Sequence, residues 1–214
     1  MPYIDPEGLP YLVWTALFGV GFLVVGSPFF ALLAWLLFMV FAVFFRNPQR
    51  SSQAPSQVVL APADGKVVAI GPPPDWVMAK GLEQAIAIFM SPLDVHVNRA
   101  PVAGEVVEAF WRKGKKWPAF RPKASELNEH SFVLIRSPYG LVGFRQIAGA
   151  VARRVVCDVS PGASVLRGER VGIIKFSSRL ELYLPSSATI LVRVGDKTRA
   201  GQTPVAEFPS KAAV

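Results

Sequence analysis

The amino-terminal part of the chain is an uninterrupted apolar run. No charged residue occurs from Leu9 to Phe45, and most positions are Leu, Val, Phe, Ala or Trp. As a single helix this run would extend about 55 Å, far more than the roughly 30 Å hydrocarbon core of a bilayer. The turn sequence Gly26-Ser27-Pro28 interrupts it, so the pattern predicts two short helices, about Tyr11–Val25 and Phe29–Phe45. We therefore expect a transmembrane or re-entrant α-helical hairpin over residues 1–46.

The pattern changes after a short polar linker at residues 51–57. Apolar or alternating runs separated by Pro, Gly, Asp and Ser are typical of strands, and helical periodicity is weak except near Leu82–Ala85. The predicted strands are Val58–Leu60, Lys66–Ile70, Ala85–Phe89, Glu105–Trp111, Ser131–Arg136, Leu141–Ile147, Arg153–Val156, Val171–Phe176, Arg179–Leu184 and Thr189–Val194. The predicted fold class is mainly β (β-rich α+β), with a mostly antiparallel domain over residues 51–214 and a tail after Gly201 that is at best partly ordered.

Charge is distributed unevenly along the chain. All 23 Lys and Arg residues lie from Arg46 onward, and with 15 Asp and Glu residues the net charge is +8. Positive residues directly after an apolar hairpin favour a cytoplasmic position for the domain that follows. A cationic domain attached to a bilayer suits an anionic membrane surface, and the hairpin makes nucleic acid the weaker alternative.

Cysteine and histidine are too scarce for several kinds of site. Cys157 is the single cysteine, which excludes an intramolecular disulfide framework and a Cys-rich zinc site. The two histidines, His96 and His130, have no carboxylate or thiol at ligand spacing. We therefore expect no metal.

The segment Phe89–Pro101 is the first candidate for chemistry. Asp94, His96 and Asn98 alternate along a predicted strand and so share one face, whereas Arg99 is out of phase. A polar face where a core face is expected points to a functional site. A histidine that is simply satisfied within the core remains the alternative.

A cluster of cations between two tryptophans is the second candidate. Trp111 and Trp117 flank four basic residues, among them Arg112 and Lys116. Tryptophan at head-group depth beside cations on lipid phosphates is typical of an interfacial loop. A stacking site for single-stranded nucleic acid is the competing interpretation.

Two further segments are consistent with ordinary β structure. Asp64-Gly65, between apolar runs, is a hairpin turn signal. Residues 168–185 indicate a strand pair with a kink at Ser177-Ser178, and they contain no hydrolase nucleophile elbow. The chain has no phosphate-binding loop of the GxxxxGK type.

Six ordered motifs follow the apolar hairpin: FFRNPQR, PADGKVV, FMSPLDVHVNRAPVAGEV, KASELNEHS, QIAGAVARRVVC and GERVGIIKFSSRLELYLP. Together they resemble phosphatidylserine decarboxylase, in the short form found in bacteria and archaea. The resemblance extends from about Phe44 to Pro185, and the hairpin is also typical of the family.

The resemblance implies a pyruvoyl-dependent carboxy-lyase that cuts itself before Ser178, giving chains 1–177 and 178–214. In this family the serine hydroxyl attacks the preceding carbonyl, and elimination followed by hydrolysis leaves ammonia and a pyruvoyl group. Phosphatidylserine forms a Schiff base with that group and loses CO₂, giving phosphatidylethanolamine. Asp64 and His96 match family positions associated with self-processing and with the later proton transfers.

The resemblance also implies where the protein acts and what it contacts. We expect the catalytic domain at the cytoplasmic face of the bacterial inner membrane, and a homo-oligomer is left open. Cations and flanking polar or aromatic side chains are expected to contact the substrate or the lipid surface. These residues are Arg99, Asn98, Arg112, Lys116, Trp111 and Trp117.

Two positions depart from the family pattern. Arg99 stands where long-form members have a second histidine, and Ser177 stands where the family has glycine. Glycine reaches strained backbone angles at no steric cost, and an acyl shift needs a distorted carbonyl. One alternative is therefore an unprocessed or inactive lipid-binding form. Another is a membrane-tethered adaptor with a lipoyl-like β domain.

Overall fold

The structure is a computed structural model that describes residues 3–114, 128–149, 154–175 and 178–209, with the backbone alone at Ser178. The chain divides into two compact units, Met1–Gln49 and Arg50–Val214. The first contains two long apolar helices, and the second is built mainly of strands. These elements confirm the predicted fold class.

The first unit is a helical hairpin. Its elements are a 3-10 turn at Pro6–Gly8, helix α1 at Leu9–Val24 and helix α2 at Pro28–Phe44. Both long helices have a proline in the first turn, where a missing N–H removes no intrahelical hydrogen bond. Gly26, at φ +71°, lies in the turn between them, and Tyr11 stacks on Phe45 with ring centroids 5.2 Å apart.

One helical segment of the described residues is long and apolar enough to cross a membrane. It is Pro6–Val24, with 19 residues and a mean hydropathy of 1.4, whereas Pro28–Phe44 is shorter. Many large apolar side chains of both helices are exposed, including Trp14 at 61% and Val24 at 80%. An exposed apolar surface of this kind is typical of a membrane or interaction surface.

Within its described residues, the second unit contains fourteen strands and one short helix, α3, at Asp75–Met78. The strands are β1 Val58–Leu60, β2 Gly65–Gly71, β3 Gln84–Met90, β4 Val97–Arg99, β5 Gly104–Arg112, β6 His130–Ser137, β7 Gly140–Ala148, β8 Arg154–Cys157, β9 Ser164–Val165, β10 Arg170–Lys175, β11 Ser178–Leu184, β12 Thr189–Ile190, β13 Lys197–Thr198 and β14 Pro204–Glu207. They form an eight-stranded sheet, β13-β2-β3-β11-β7-β6-β5-β9, and two three-stranded sheets, β1-β14-β12 and β4-β10-β8. All of these pairings are antiparallel.

The eight-stranded sheet has two faces with different packing. Leu180, Leu182 and Leu184 of β11 belong to the main hydrophobic core. Tyr183, offset by one residue, packs in a smaller cluster that includes Phe132. Because side chains alternate along a strand, the leucine side is the core face and the Tyr183 side is the opposite face.

The hairpin turn predicted at Asp64-Gly65 was wrong. β1 pairs with β14, whereas β2 pairs with β3 and β13, so the two apolar runs around this dipeptide are not paired with each other. Glycine is needed here for a different reason. Gly65 has φ +146°, and a Cβ atom at this position would lie 2.1 Å from the carbonyl oxygen of Phe89. That oxygen belongs to the backbone of β3, so no side-chain movement relieves the overlap.

Two other local predictions also differ from the structure. The short helix is Asp75–Met78 rather than a segment near 82–85, and the predicted strand at 189–194 is reduced to Thr189–Ile190. In the described part of the tail after Gly201, up to residue 209, β14 pairs with both β1 and β12 and buries Val205. Pairing partners that are distant in sequence explain why the composition of the tail did not reveal these strand pairs.

We expect Gly65→Ala to destabilise the second unit by roughly 2 kcal/mol or more, a fall in Tm of about 4–8 °C. The positive φ and the Phe89 carbonyl are both unfavourable for a side chain. Thermal unfolding followed by circular dichroism in detergent measures the change. Gly71→Ala on the same strand is the control, since nothing lies within 4 Å of its added Cβ. Equal Tm values for the two variants would contradict the close approach of Gly65 to the Phe89 carbonyl oxygen.

Candidate active site

The amino-terminal end of β11 is the place where several motif segments meet. Ser178 is the first residue of this strand, and its backbone pairs with Met90 at the end of β3 and with Ala148 at the end of β7. Asp64 directly precedes β2, whose first residues pair with the end of β3. The strand register therefore brings the segments of Asp64 and Ser178 to the same end of the sheet.

His96 reaches this end of the sheet through a different pairing. Its backbone carbonyl accepts a hydrogen bond from the N–H of Ile174 in β10, at 3.3 Å. The side chain is fully buried, and Nδ1 lies 3.0 Å from the carbonyl oxygen of Asp94. The predicted strand face of Asp94, His96 and Asn98 was wrong, because β4 begins only at Val97. The Asp94 carboxylate instead accepts a hydrogen bond from a backbone N–H in the turn before it.

Asp64 is held in a buried ion pair with Arg50. Nη2 of Arg50 donates to Oδ2 at 2.7 Å, and Nη1 donates to Oδ1. Oδ1 also accepts from the backbone N–H of Ala200 at 2.8 Å, and Nη1 donates to the Ala200 carbonyl at 3.0 Å. The side chains are only 8% and 12% exposed for Arg50 and Asp64. Both carboxylate oxygens are therefore occupied by donors, which suits an ionised carboxylate.

Arg99 adds a second buried cation beside this pair. It is 2% exposed, and its Nη1 donates to the carbonyl of Gly168 at 2.9 Å. Burial lowers the pKa of Arg99, the charge of Arg50 lowers it further, and Asp64 raises it. Because an arginine remains protonated even so, this group of side chains holds two positive charges and one negative charge.

A buried amide network supports the neighbouring part of the core face. Nε2 of Gln146 donates to Oδ1 of Asn98 at 2.8 Å, and Oγ of Ser131 donates to Oε1 of Gln146 at 2.6 Å. Nδ2 of Asn98 lies 3.7 Å from Sδ of Met90, the residue that pairs with Ser178. Asn98 therefore faces the end of the sheet where β11 begins.

The remaining candidate residues are not gathered there. Trp111 and Arg112 end β5 and, as consecutive strand residues, they face opposite sides of the sheet, so they do not form part of a loop. Trp111 is 52% exposed, and its Nε1 donates to the Glu129 carboxylate at 3.2 Å. Lys116, Trp117 and Ser177 lie outside the described residues, as does the side chain of Ser178.

Sequence reasoning missed Arg50 and Gln146. The charge pattern marks Arg50 only as one of the basic residues after the hairpin, although it closes the motif FFRNPQR, and Gln146 opens the motif QIAGAVARRVVC. Their positions within family-like motifs were the available signal. The partners, Asp64 and Asn98, are distant along the chain and only the fold reveals them.

Comparison with known proteins identifies the family. The profile of the phosphatidylserine decarboxylase family matches residues 37–206. The chain is 41% identical to the phosphatidylserine decarboxylase proenzyme of Geobacter metallireducens, covering 96% of this chain and 97% of that protein. The proenzymes of Azorhizobium caulinodans (96% and 89% covered) and Carboxydothermus hydrogenoformans (92% of each) are also 41% identical. The resemblance seen in the motifs is thereby confirmed, and the chain belongs to the phosphatidylserine decarboxylase family.

Proposed function

We propose that this chain converts phosphatidylserine to phosphatidylethanolamine and CO₂, using a pyruvoyl group formed from its own Ser178. Family membership supports the reaction. The observation that carries the proposal is the start of β11 at Ser178, at the sheet end that also holds the buried Arg50–Asp64 pair and His96. Perturbed and buried polar groups concentrated at one point are typical of an active site.

The position of Ser178 fits a group generated by self-cleavage. A cut before Ser178 leaves β11 paired on one side with β3 and on the other with β7, so the new terminus stays in place. The ketone of a pyruvoyl group reacts with the substrate amine and withdraws the electron pair left by the departing carboxylate. The substrate must therefore reach the end of β11 with its amine foremost.

Asp64 is placed to organise charge at this end of the sheet. Its two oxygens accept hydrogen bonds from Arg50 and from the backbone of Ala200. These donors fix the carboxylate in place against Arg50. We infer that Asp64 holds Arg50 in position and limits the positive charge around Arg99, while the remaining positive charge favours an anionic head group.

His96 is the proposed proton donor to the carbon that loses CO₂. The carbonyl oxygen of Asp94 can only accept, so Nδ1 of His96 carries the hydrogen in that contact. This fixes the tautomer, and Nε2 is then the nitrogen that takes up and delivers a proton. Complete burial of the ring excludes bulk water from that exchange.

The apolar hairpin supports membrane association of the enzyme. Segment Pro6–Val24 is long and apolar enough to cross a bilayer. Because the proposed substrate is a lipid, an anchor in the bilayer would keep the catalytic unit near that substrate. The first basic residues follow the hairpin at Arg46, which favours the cytoplasmic face of a bacterial inner membrane for the catalytic unit.

Self-processing is the direct test of this proposal. Intact mass spectrometry of the purified 23.3 kDa chain should show two fragments that meet between 177 and 178. The smaller should be lighter by one NH₃ than a Ser-terminated fragment and should gain mass on borohydride treatment. Ser178→Ala should remain a single chain without decarboxylase activity. Ser187→Ala, the exposed second serine of a Ser-Ser pair just after β11, should be processed normally.

Ser177 favours a second candidate, an unprocessed lipid-binding form. A serine at this position lacks the backbone freedom of the glycine found in the family. A single full-length mass for the native chain, with phosphatidylserine bound but not decarboxylated, would replace the decarboxylase proposal by this one. If Ser177 slows the cut, Ser177→Gly should accelerate it.

We expect Arg50→Met to lower the free energy of unfolding by about 3–5 kcal/mol, because it leaves the buried Asp64 carboxylate without its cation. Urea unfolding in detergent, followed by fluorescence, measures the loss. Arg136→Met is the matched control. Arg136 is 64% exposed and lies 3.7 Å from Glu105, so its removal should cost no more than about 1 kcal/mol. Similar losses for both variants would show that the Arg50–Asp64 pair contributes no more to the free energy of unfolding than an exposed ion pair.

A further inference from the structure

A polar cavity lies on the face of the eight-stranded sheet opposite the leucine side of β11. Its volume is about 850 Å³, and the residues that line it include Trp76, Lys80, Glu108, Arg112, His130 and Arg145. Apart from Arg112, which the sequence analysis expects to contact the substrate or the lipid surface, these residues have no part in the function proposed above. The cavity therefore needs an explanation of its own.

The face of the sheet separates this cavity from the start of β11, and for Arg145 the strand register does so as well. His130 pairs with Ile147, which pairs with Arg179, so at that level the separation comes from the sheet face and the intervening strand β7. Arg145 of β7 pairs with Glu181 of β11 and with Phe132 of β6. Glu181 is three residues from Ser178, which is about 10 Å along the strand. It also alternates with Leu180 and Leu182, so it lies on the other face of the sheet.

Arg145 is buried with unused hydrogen-bond donors. The residue is 2% exposed, and neither Nε nor Nη2 has a hydrogen-bond partner within the described parts of the chain. Oε2 of Glu181 lies 3.8 Å from Nε, too far for a hydrogen bond, and it accepts the Tyr183 hydroxyl at 2.6 Å. Buried guanidinium donors without acceptors are unfavourable. Both atoms are shielded from solvent, so a ligand in the cavity would contact the part of Arg145 that lines it and offset the guanidinium charge.

The charges around the cavity are only partly balanced, because the Glu181 carboxylate beside Arg145 also pairs with Arg179. Lys80 and Glu108 neutralise each other at 2.5 Å. Asp75 also lines the cavity, but it is exposed to solvent at the start of α3. Arg112 and Arg145 lie on β5 and β7, which both pair with β6, so they flank β6 from its two sides.

Aromatic rings form the flat walls beside these two cations. The Cζ of Arg145 lies 5.9 Å from the ring centroid of Trp76, and the Cζ of Arg112 lies 5.0 Å from that of Phe110. Such contacts hold a guanidinium in one plane, and Arg112, which is exposed, keeps its edge available to a ligand.

We propose that this cavity binds a phosphate group between Arg145 and Arg112. A guanidinium fork matches the spacing of phosphate oxygens, and one phosphate has enough acceptors for two arginines. The phosphate can come from the head group of an anionic phospholipid or from free phosphate, since both present the same oxygens. The site is distinct from the reacting end of β11, so it goes beyond the proposed decarboxylation.

His130 provides a local reporter for this site. Its Nδ1 lies 2.8 Å from the carbonyl oxygen of Asn128. Burial lowers the pKa of His130. The hydrogen bond to Asn128 and the charge of Glu181 raise this pKa, whereas the charges of Arg145 and Arg112 lower it. An anion bound between the two arginines would offset their effect and raise this pKa.

The test is a pH titration of the two histidine side chains by NMR, on the full chain in a phosphate-free detergent. The chain contains only His96 and His130, so His130→Gln assigns both signals. Added inorganic phosphate, or phosphatidylglycerol mixed into the micelles, should raise the His130 pKa, with a Kd of about 1 mM or lower, and should change the His130 signal more than the His96 signal. The measurement is repeated on Ser178→Ala, so its result does not depend on self-processing.

Matched variants show whether the arginines bind the anion. Arg145→Met should weaken the effect at least about tenfold, while Arg136→Met, which removes an exposed arginine of β6, should leave it unchanged. If Arg145→Met fails to fold, Arg112→Met takes its place with the same expectation.

The two ligands distinguish the source of the phosphate. A shift with phosphatidylglycerol but not with inorganic phosphate assigns the cavity to a lipid head group, and a shift with inorganic phosphate assigns it to the free ion. The proposal is overturned if neither ligand moves His130. It is equally overturned if His96 moves by the same amount, or if the shift persists in the arginine variant.

Discussion

The central position of β11 in the eight-stranded sheet is the constraint on which the rest of the second unit depends. The strand is paired with β3 on one side and with β7 on the other. A shift of one residue would exchange its leucines for Arg179, Glu181 and Tyr183 on the core face, so packing fixes its register. That register determines where Ser178 lies and what each face of the sheet presents. It also means that a break in the chain before Ser178 would leave the strand in place.

Burial of charge is the main energetic cost of this arrangement. Arg50, Asp64 and Arg99 are almost completely removed from solvent at one end of the sheet. A hydrophobic replacement of similar volume is often at least as stable as a buried ion pair, so stability alone does not account for these residues. Their location beside the start of β11 supports a role in chemistry. The same reasoning applies to Arg145, whose donors are only partly matched by Glu181.

The sequence was sufficient for features that depend on local pattern and insufficient for those that depend on pairing. Absence of charge from Leu9 to Phe45 predicted the helices, and alternation predicted most strands of the large sheet. The Arg50–Asp64 pair and the contact of Gln146 with Asn98 join distant segments, so no periodicity reports them. Motif resemblance pointed to Asp64, His96 and Ser178, but it did not show how these residues are arranged in space. Around Asp94 the structure has a turn instead of the expected strand face.

The structure changes how the net positive charge of the chain is interpreted. An excess of Lys and Arg suggests a cationic surface attracted to anionic lipid. Yet Arg50, Arg99, Arg145 and Lys175 are buried in the second unit, so part of that excess is not displayed on the surface. Buried cations act at short range in a medium of low dielectric, where they select and orient an anion more strongly than surface charge does. Under the two proposals, part of the net charge would therefore serve anion recognition inside the fold rather than attraction to a membrane.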